Sequence, residues 1–380
     1  MKIIKNKIFI STLIFTFLIA LIISCSNQSH SNQKPKAVQV SANSQSIEKK
    51  ADTLLQLKFK SGIRSILEDS KGNTWFGSDG EGVGLFDGEK LTYFTSIEGL
   101  SSGQVRSIFE DSNGIVWFEG GSGISSYDGK KMITHNAFTL SYNSKNEWQS
   151  GKNDLWFKGN EVIGYNGLEG RPGVYRYDGN KLNYHIFPLT PKENENNIYS
   201  VSTPFIKGKN GMFWFGTYGA VIGYNGASFT VIDDKSLGLT EETGSLHIRS
   251  IFEDSKGNLW IGNNGIGVLL YNGDSTVNFS ELHGLVSENS LHTGGYISPP
   301  GSLEHVFSIG EDASGNMWFG DRDTGAWRYD GKFFKNYTTK DGLTTNHIWQ
   351  IYKSKTDEMW FAMGDGSVRK FNGESFDRIF

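Results

Sequence analysis

The 380-residue chain has one cysteine, Cys25, and seven prolines. A single cysteine excludes an intrachain disulfide. Scarce proline and few long apolar runs argue against Pro-rich linkers and bundles of buried helices. Charge of one sign is also lacking: the formal net charge is −4 and the pI about 6.1. A dedicated nucleic-acid binder needs a basic face, so no nucleic-acid partner is expected. There is no phosphate loop, no His-Glu-x-x-His and no Gly-x-Ser-x-Gly elbow. Gly80-Glu81-Gly82-Val83-Gly84 has no helix pattern after it, which excludes a dinucleotide cradle.

Present instead are 47 glycines and an aromatic share of 13%. Seven tryptophans sit in one recurring phrase: Trp75, Trp117, Trp156, Trp214, Trp260, Trp318 and Trp360. Their spacings are 42, 39, 58, 46, 58 and 42 residues. A period near 40 means stacked copies of one supersecondary unit.

The copies align element by element. Ile63-Arg64-Ser65-Ile66-Leu67-Glu68-Asp69 matches the segments starting at Val105 and Ile248, with weaker copies at Ile198, Val306 and Ile348. Apolar residues alternate there, as in a strand, here strand A. A turn such as Ser70-Lys71-Gly72-Asn73 follows, with Asp69, Asp111, Asp254 and Asp312 placed to bond local backbone. Strand B carries the tryptophan. A glycine-rich loop leads to strand C, which closes on an aromatic, Asp or Asn, and Gly, as in Tyr127-Asp128-Gly129 and Tyr271-Asn272-Gly273. That pair predicts a type I′ hairpin into strand D. The fold class expected is all-β: a seven-bladed β-propeller of four-stranded antiparallel blades, over residues 53–380. Stacking blades around an axis buries both faces of each small sheet. The tryptophans then belong to the packing between blades, and the carboxylate pairs Glu68/Asp69, Glu110/Asp111 and Glu253/Asp254 recur with the repeat.

The phrase Val105-Arg106-Ser107-Ile108-Phe109-Glu110-Asp111, with its later Trp117-Phe118 and Tyr127-Asp128-Gly129, resembles the two-component-regulator propeller repeat. The resemblance spans roughly residues 53–380 and is weakest in blades 3, 4 and 7. It implies a seven-bladed propeller and a sensor-type role, commonly for carbohydrates, in exported parts of hybrid histidine kinases. No kinase segment or membrane span follows the propeller here, so no kinase output of its own is expected.

Lys2, Lys5 and Lys7 precede an apolar run from Ile8 to Ile23, and then Ser24-Cys25. This is the form of a secretory signal. Ile22-Ile23-Ser24-Cys25 resembles a bacterial lipobox. It implies a signal peptide over residues 1–24, lipidation at Cys25 and a membrane contact through lipid alone. Residues 25–52 are polar and read as a disordered tether. The expected location is the cell envelope, exported and lipid-anchored, facing the periplasm or the cell surface.

Function should lie where the copies differ. Insertions fall at Gly159 to Gly173 in blade 3, at Thr203 to Gly211 in blade 4, and at Val286 to Glu304 between blades 5 and 6. Meander geometry puts the first and third on one face. The start of strand A falls there too, and reads Gly62, Gln104, Asn197, His247, His305 and His347. Two residues on stand Arg64, Arg106, Tyr199, Arg249, Phe307 and Trp349. Such a rim of His, Arg and aromatics suits a glycan or other small polar ligand. The expected site is therefore His247, Arg249, His305, Phe307, His347, Trp349, Arg64, Arg106 and Tyr199, with no cofactor and no metal. Two alternatives stand beside it. In a lyase of the virginiamycin B lyase type, a divalent metal would assist His247, His305 or His347, with Glu304 a candidate partner. In an envelope scaffold, the partner would be a protein.

Overall fold

A computed structural model describes residues 56–380, except 122, 137–138, 142–147, 149–150, 152, 159–171, 188–198 and 210. Cys25 and the expected signal and tether segments lie outside the described residues, as does most of the blade 3 insertion. No helix among the described residues is long and apolar enough to cross a membrane.

Seven four-stranded sheets form a β-propeller, as the repeat predicts. Six are antiparallel meanders. Blade 3 differs: Leu155–Lys158, Gly173–Tyr177 and Leu182–Ile186 pair antiparallel, and Thr139–Ser141 adds parallel to the last of them. The reason lies in composition. Residues 142–153, ahead of Trp156, lack the alternating apolar phrase that builds strand A elsewhere.

All seven repeat tryptophans are buried, none more than 9% exposed. Each joins an apolar cluster with inner strands of the next blade, strands A and B in the regular copies. Trp75 packs with Val105, Ile108 and Phe118, Trp260 with Val306, Ile309 and Phe319, and Trp360 with Ile63 and Phe76. Each large side chain so buried contributes roughly 1.5–3 kcal/mol.

The recurring carboxylates are accounted for as well. Asp69 Oδ1 accepts the backbone N–H groups of Lys71 and Asn73 at 3.0 and 2.8 Å, and its Oδ2 accepts the Trp75 indole N–H at 2.9 Å. The indoles of Trp117, Trp260 and Trp318 donate likewise to Asp111, Asp254 and Asp312 at 3.1, 2.9 and 3.0 Å. One carboxylate thus caps the A–B turn and satisfies a buried donor. The glutamate beside it reaches the preceding blade: Glu110 accepts from Ser70 N and Glu311 from Ser255 N, both at 2.7 Å.

The C–D hairpins depart from expectation. At Asp87-Gly88 only the glycine has positive φ, +96°, and Asp87 Oδ1 accepts from Glu89 N and Lys90 N at 3.0 and 2.9 Å. A type I′ turn needs positive φ twice, so a side-chain-capped turn with Gly leading replaces it.

Residues 56–62 form no strand. The ring closes by packing: Leu57 and Phe59 are buried with Trp360, Val368 and Phe380 between blades 7 and 1.

Candidate functional site

Strand A carries the same irregularity in blades 1, 2, 5, 6 and 7. Its pairing with strand B skips one residue, between Ile63 and Ser65, Val105 and Ser107, Ile248 and Ser250, Val306 and Ser308, and Ile348 and Gln350. The skipped residues are Arg64, Arg106, Arg249, Phe307 and Trp349. A bulge of this kind re-aims a side chain. All five line a central cavity of about 180 Å³, together with Ser202 of blade 4.

Blade 4 corrects the expected register. Ser202 N and Thr203 N both donate to Gly216 O, at 2.9 and 3.2 Å, so Ser202 holds the bulge position. Ser200 O accepts from Tyr218 N at 3.0 Å, as Gly62 O accepts from Asp79 N at 2.8 Å. The rim positions of this blade are therefore Ser200 and Ser202, three residues beyond Asn197 and Tyr199. The Thr203-Pro204 insertion hid the offset. Tyr199 packs against the apolar cluster of Trp156 and Phe213, away from the channel. Asn197 lies outside the described residues.

The side chains at the mouth form a linked belt. Arg106 Nε donates to Gln104 Oε1 at 2.7 Å, and Gln104 Nε2 donates to Asp79 Oδ1 at 2.9 Å. Asp79 Oδ1 also accepts from Arg64 Nη1 at 3.2 Å. The Arg64 guanidinium lies 3.7 Å from the ring centre of Trp349. Trp349 lies 5.2 Å from Phe307, centre to centre, and Phe307 is 5.3 Å from the Arg249 guanidinium. Arg249 in turn sits 5.5 Å from Tyr218, which contacts His247 edge-on at 5.5 Å.

The electrostatics follow from crowding. Burial, then Arg106, pulls Arg64 down to about 10, and burial pulls Arg249 down as well. Both stay charged at neutral pH. In the channel wall, burial raises the Glu119 carboxyl, although Lys158 and Arg106 oppose this.

The three histidines do not act as a set. His305 is fully buried; its Nε2 donates to Thr293 O at 3.1 Å, and its Nδ1 lies 2.8 Å from both Asp323 Oδ2 and Ser298 Oγ. It anchors the link between blades 5 and 6. Glu304, also fully buried, accepts from Ser287 N at 2.7 Å and Ser290 Oγ at 3.0 Å, tying the same link. It is not free to assist a base. The His347 ring packs at a tilt of 42° against Trp349, 4.3 Å between centres, and its buried Nε2 has no hydrogen-bond partner among the described residues. Burial first, then Arg64, lowers His347 to about 4; burial, then Arg249, lowers His247 to about 4. Both are neutral at pH 7. Among the described residues no group of three His, Cys, Asp or Glu could hold a metal ion.

Sequence reasoning missed Asp79, Tyr218, Asn264 and Arg322. Each follows strand B and returns its backbone N–H to the start of strand A. Arg322 donates to Gly294 O at 2.6 Å and to Asp323 Oδ2 at 2.8 Å, which holds the link over the rim. The available signal was positional: a charged, amide or aromatic side chain after strand B of four blades, where a plain turn needs none.

Comparisons place this geometry in a family context. The model described as two component regulator propeller matches residues 59–80, 99–118 and 244–265, in blades 1, 2 and 5. No curated protein matches the sequence. The extracellular domain of a hybrid two component system from B. thetaiotaomicron superposes with a TM-score of 0.59 at 21% identity. That likeness covers 83% of this chain and 39% of that one. Selenomethionine-substituted virginiamycin B lyase from Staphylococcus aureus superposes at 0.56 with 16% identity, over 82% and 95% of the two chains. At these identities the likeness is one of fold. The chain is a seven-bladed β-propeller, and its blades 1, 2 and 5 carry the two-component-regulator propeller repeat.

Proposed function

We propose that this chain is an exported, lipid-anchored sensor-type domain that binds a small polar ligand, of glycan type, at the mouth of its channel. The observation that carries the reading is the row of five bulges. They turn three arginines and two aromatics toward one cavity. Flat faces with hydrogen-bond donors at their edges suit a sugar ring. A cavity of about 180 Å³ is below the ~300–1,000 Å³ of common ligand sites, which favours one ring over a long chain. Export rests on the charged and apolar N-terminus ending at Cys25. The resemblance to extracellular sensor domains supports it.

The test is calorimetric titration of the full chain with a panel of monosaccharides, with and without a divalent cation. Binding without metal, lost in Trp349→Ala, supports the proposal. Cation-dependent turnover of a ligand would support the lyase reading instead. No binding under either condition, with a protein partner recovered by crosslinking, would sink it in favour of a scaffold.

A further inference from the structure

The charges of the channel do not balance. Arg64 is paired with Asp79. Arg106 bonds the neutral Gln104, and the Arg249 guanidinium faces the rings of Tyr218 and Phe307. Among the described residues neither Arg106 nor Arg249 has a carboxylate within ion-pair distance. Glu119 is the other acid of the cavity, and its oxygens take Lys158 N at 2.8 Å and Ser107 Oγ at 3.4 Å.

The same cavity holds polar atoms left without partners. Arg249 Nε, Ser250 Oγ and Gln350 Oε1 are buried and make no hydrogen bond among the described residues. Ser250, only 9% exposed, follows the Arg249 bulge directly. A buried donor without a partner costs free energy, more so when it is charged. Carrying such a cost at one spot is a common sign of a missing ligand group. Two unpaired guanidiniums, one with a free Nε–H, call for a planar anion, since the fork of Arg matches a carboxylate bidentately. The adjoining Phe307–Trp349 face calls for an apolar ring surface.

We propose that the ligand is a small acidic carbohydrate, its carboxylate held between Arg106 and Arg249 and its ring laid on Phe307 and Trp349. This rests on the ligand-binding reading above and narrows it. Ser250 Oγ and Gln350 Oε1 then bond ring hydroxyls beside the carboxylate.

The test compares three probes on the full chain by calorimetry: D-glucose, D-glucuronate and inorganic phosphate. Glucose and glucuronate differ only where a hydroxymethyl replaces the carboxylate. Glucuronate is expected to bind at least roughly tenfold tighter than glucose, from one charge-assisted pair. Its affinity should fall at high salt. Arg249→Gln and Arg106→Gln should each lower glucuronate affinity far more than glucose affinity, and so remove most of that preference. Equal affinity for the two sugars, or a preference that survives both substitutions, overturns the acidic assignment and leaves the ligand-binding reading standing. Phosphate binding as tightly as glucuronate overturns the sugar half. If none of the three probes binds, the acidic assignment falls, and the monosaccharide panel decides the broader reading separately. Unchanged unfolding midpoints in both variants exclude misfolding as the cause.

Discussion

The guanidinium of Arg64, in the first blade, lies 3.7 Å from the ring centre of Trp349, in the last. Asp79 fixes the guanidinium from its other side at 3.2 Å. One contact thus joins the two ends of the repeat array at the mouth of the channel. It depends on Gly62, the first rim position. A Cβ there would stand 2.2 Å from Trp349 Nε1.

Gly62→Ala is therefore expected to push Trp349 off Arg64 without unfolding the ring, because Gly62 has no positive φ to strain. Ligand affinity should fall, Trp349 fluorescence should change, and the unfolding midpoint should move little. Unchanged affinity and fluorescence would show that the ring has room to shift.

Asp254 carries both a turn and a buried indole. Asp254→Ala removes acceptors from Lys256 N, Asn258 N and Trp260 Nε1. The orphaned indole donor alone costs about 1–3 kcal/mol. Denaturant unfolding should show a loss of that order or larger. Asp254→Asn, which keeps one carbonyl oxygen, should lose less.

Ring closure rests on Glu68, which accepts from Lys355 N at 2.6 Å, and on the burial of Leu57 and Phe59 beside Phe380. Glu68→Ala should cost about 1 kcal/mol, because the Lys355 turn is exposed and water replaces the bond. Deleting residues 53–60 should cost more, since two large apolar side chains leave the core. Unfolding midpoints that fall in the reverse order would contradict closure by packing.

The stability of the domain should depend on pH through its buried titrating groups, two histidines and one aspartate among them. His247 and His347 are lowered from 6.5 to about 4. The unfolded chain therefore takes up protons that the folded chain refuses. Their contribution is complete above pH 6.5 and is lost as pH falls toward 4. Asp321, pushed by burial from 3.8 up to about 6, acts oppositely. Its contribution is present below 3.8 and lost as pH rises through 6. The histidine pair should pull the midpoint down between pH 6.5 and 4, against Asp321 and the likewise raised Glu119. His347→Gln should flatten that drop. A drop of equal size in the variant would assign it elsewhere.

Much of this fold was legible in the chain because the repeat is literal. Trp75, Trp117, Trp260 and Trp318 recur with their Asp six residues earlier, and the pair performs one physical task in blades 1, 2, 5 and 6. Blade 3 was not legible, because its outer strand, Thr139–Ser141, pairs in parallel without the repeat phrase. The site was partly legible. Arg64, Arg106, Arg249, Phe307 and Trp349 stand out by alignment alone. That they face the channel depends on the bulges, which leave no mark in a pattern of alternating residues. Tyr199 was misplaced because alignment carried the register across the blade 4 insertion. The belt residues Asp79 and Tyr218 were hidden as turn residues, although their side chains complete the rim.

The most direct measurement follows the tryptophan indole N–H resonances of the full chain while D-glucuronate is titrated. Trp349 faces the channel, whereas Trp75, Trp260 and Trp318 are sealed between blades with their N–H groups bonded to Asp69, Asp254 and Asp312. The account predicts that the Trp349 resonance shifts in step with binding while those three stay in place. Saturable binding that leaves Trp349 unmoved would contradict it.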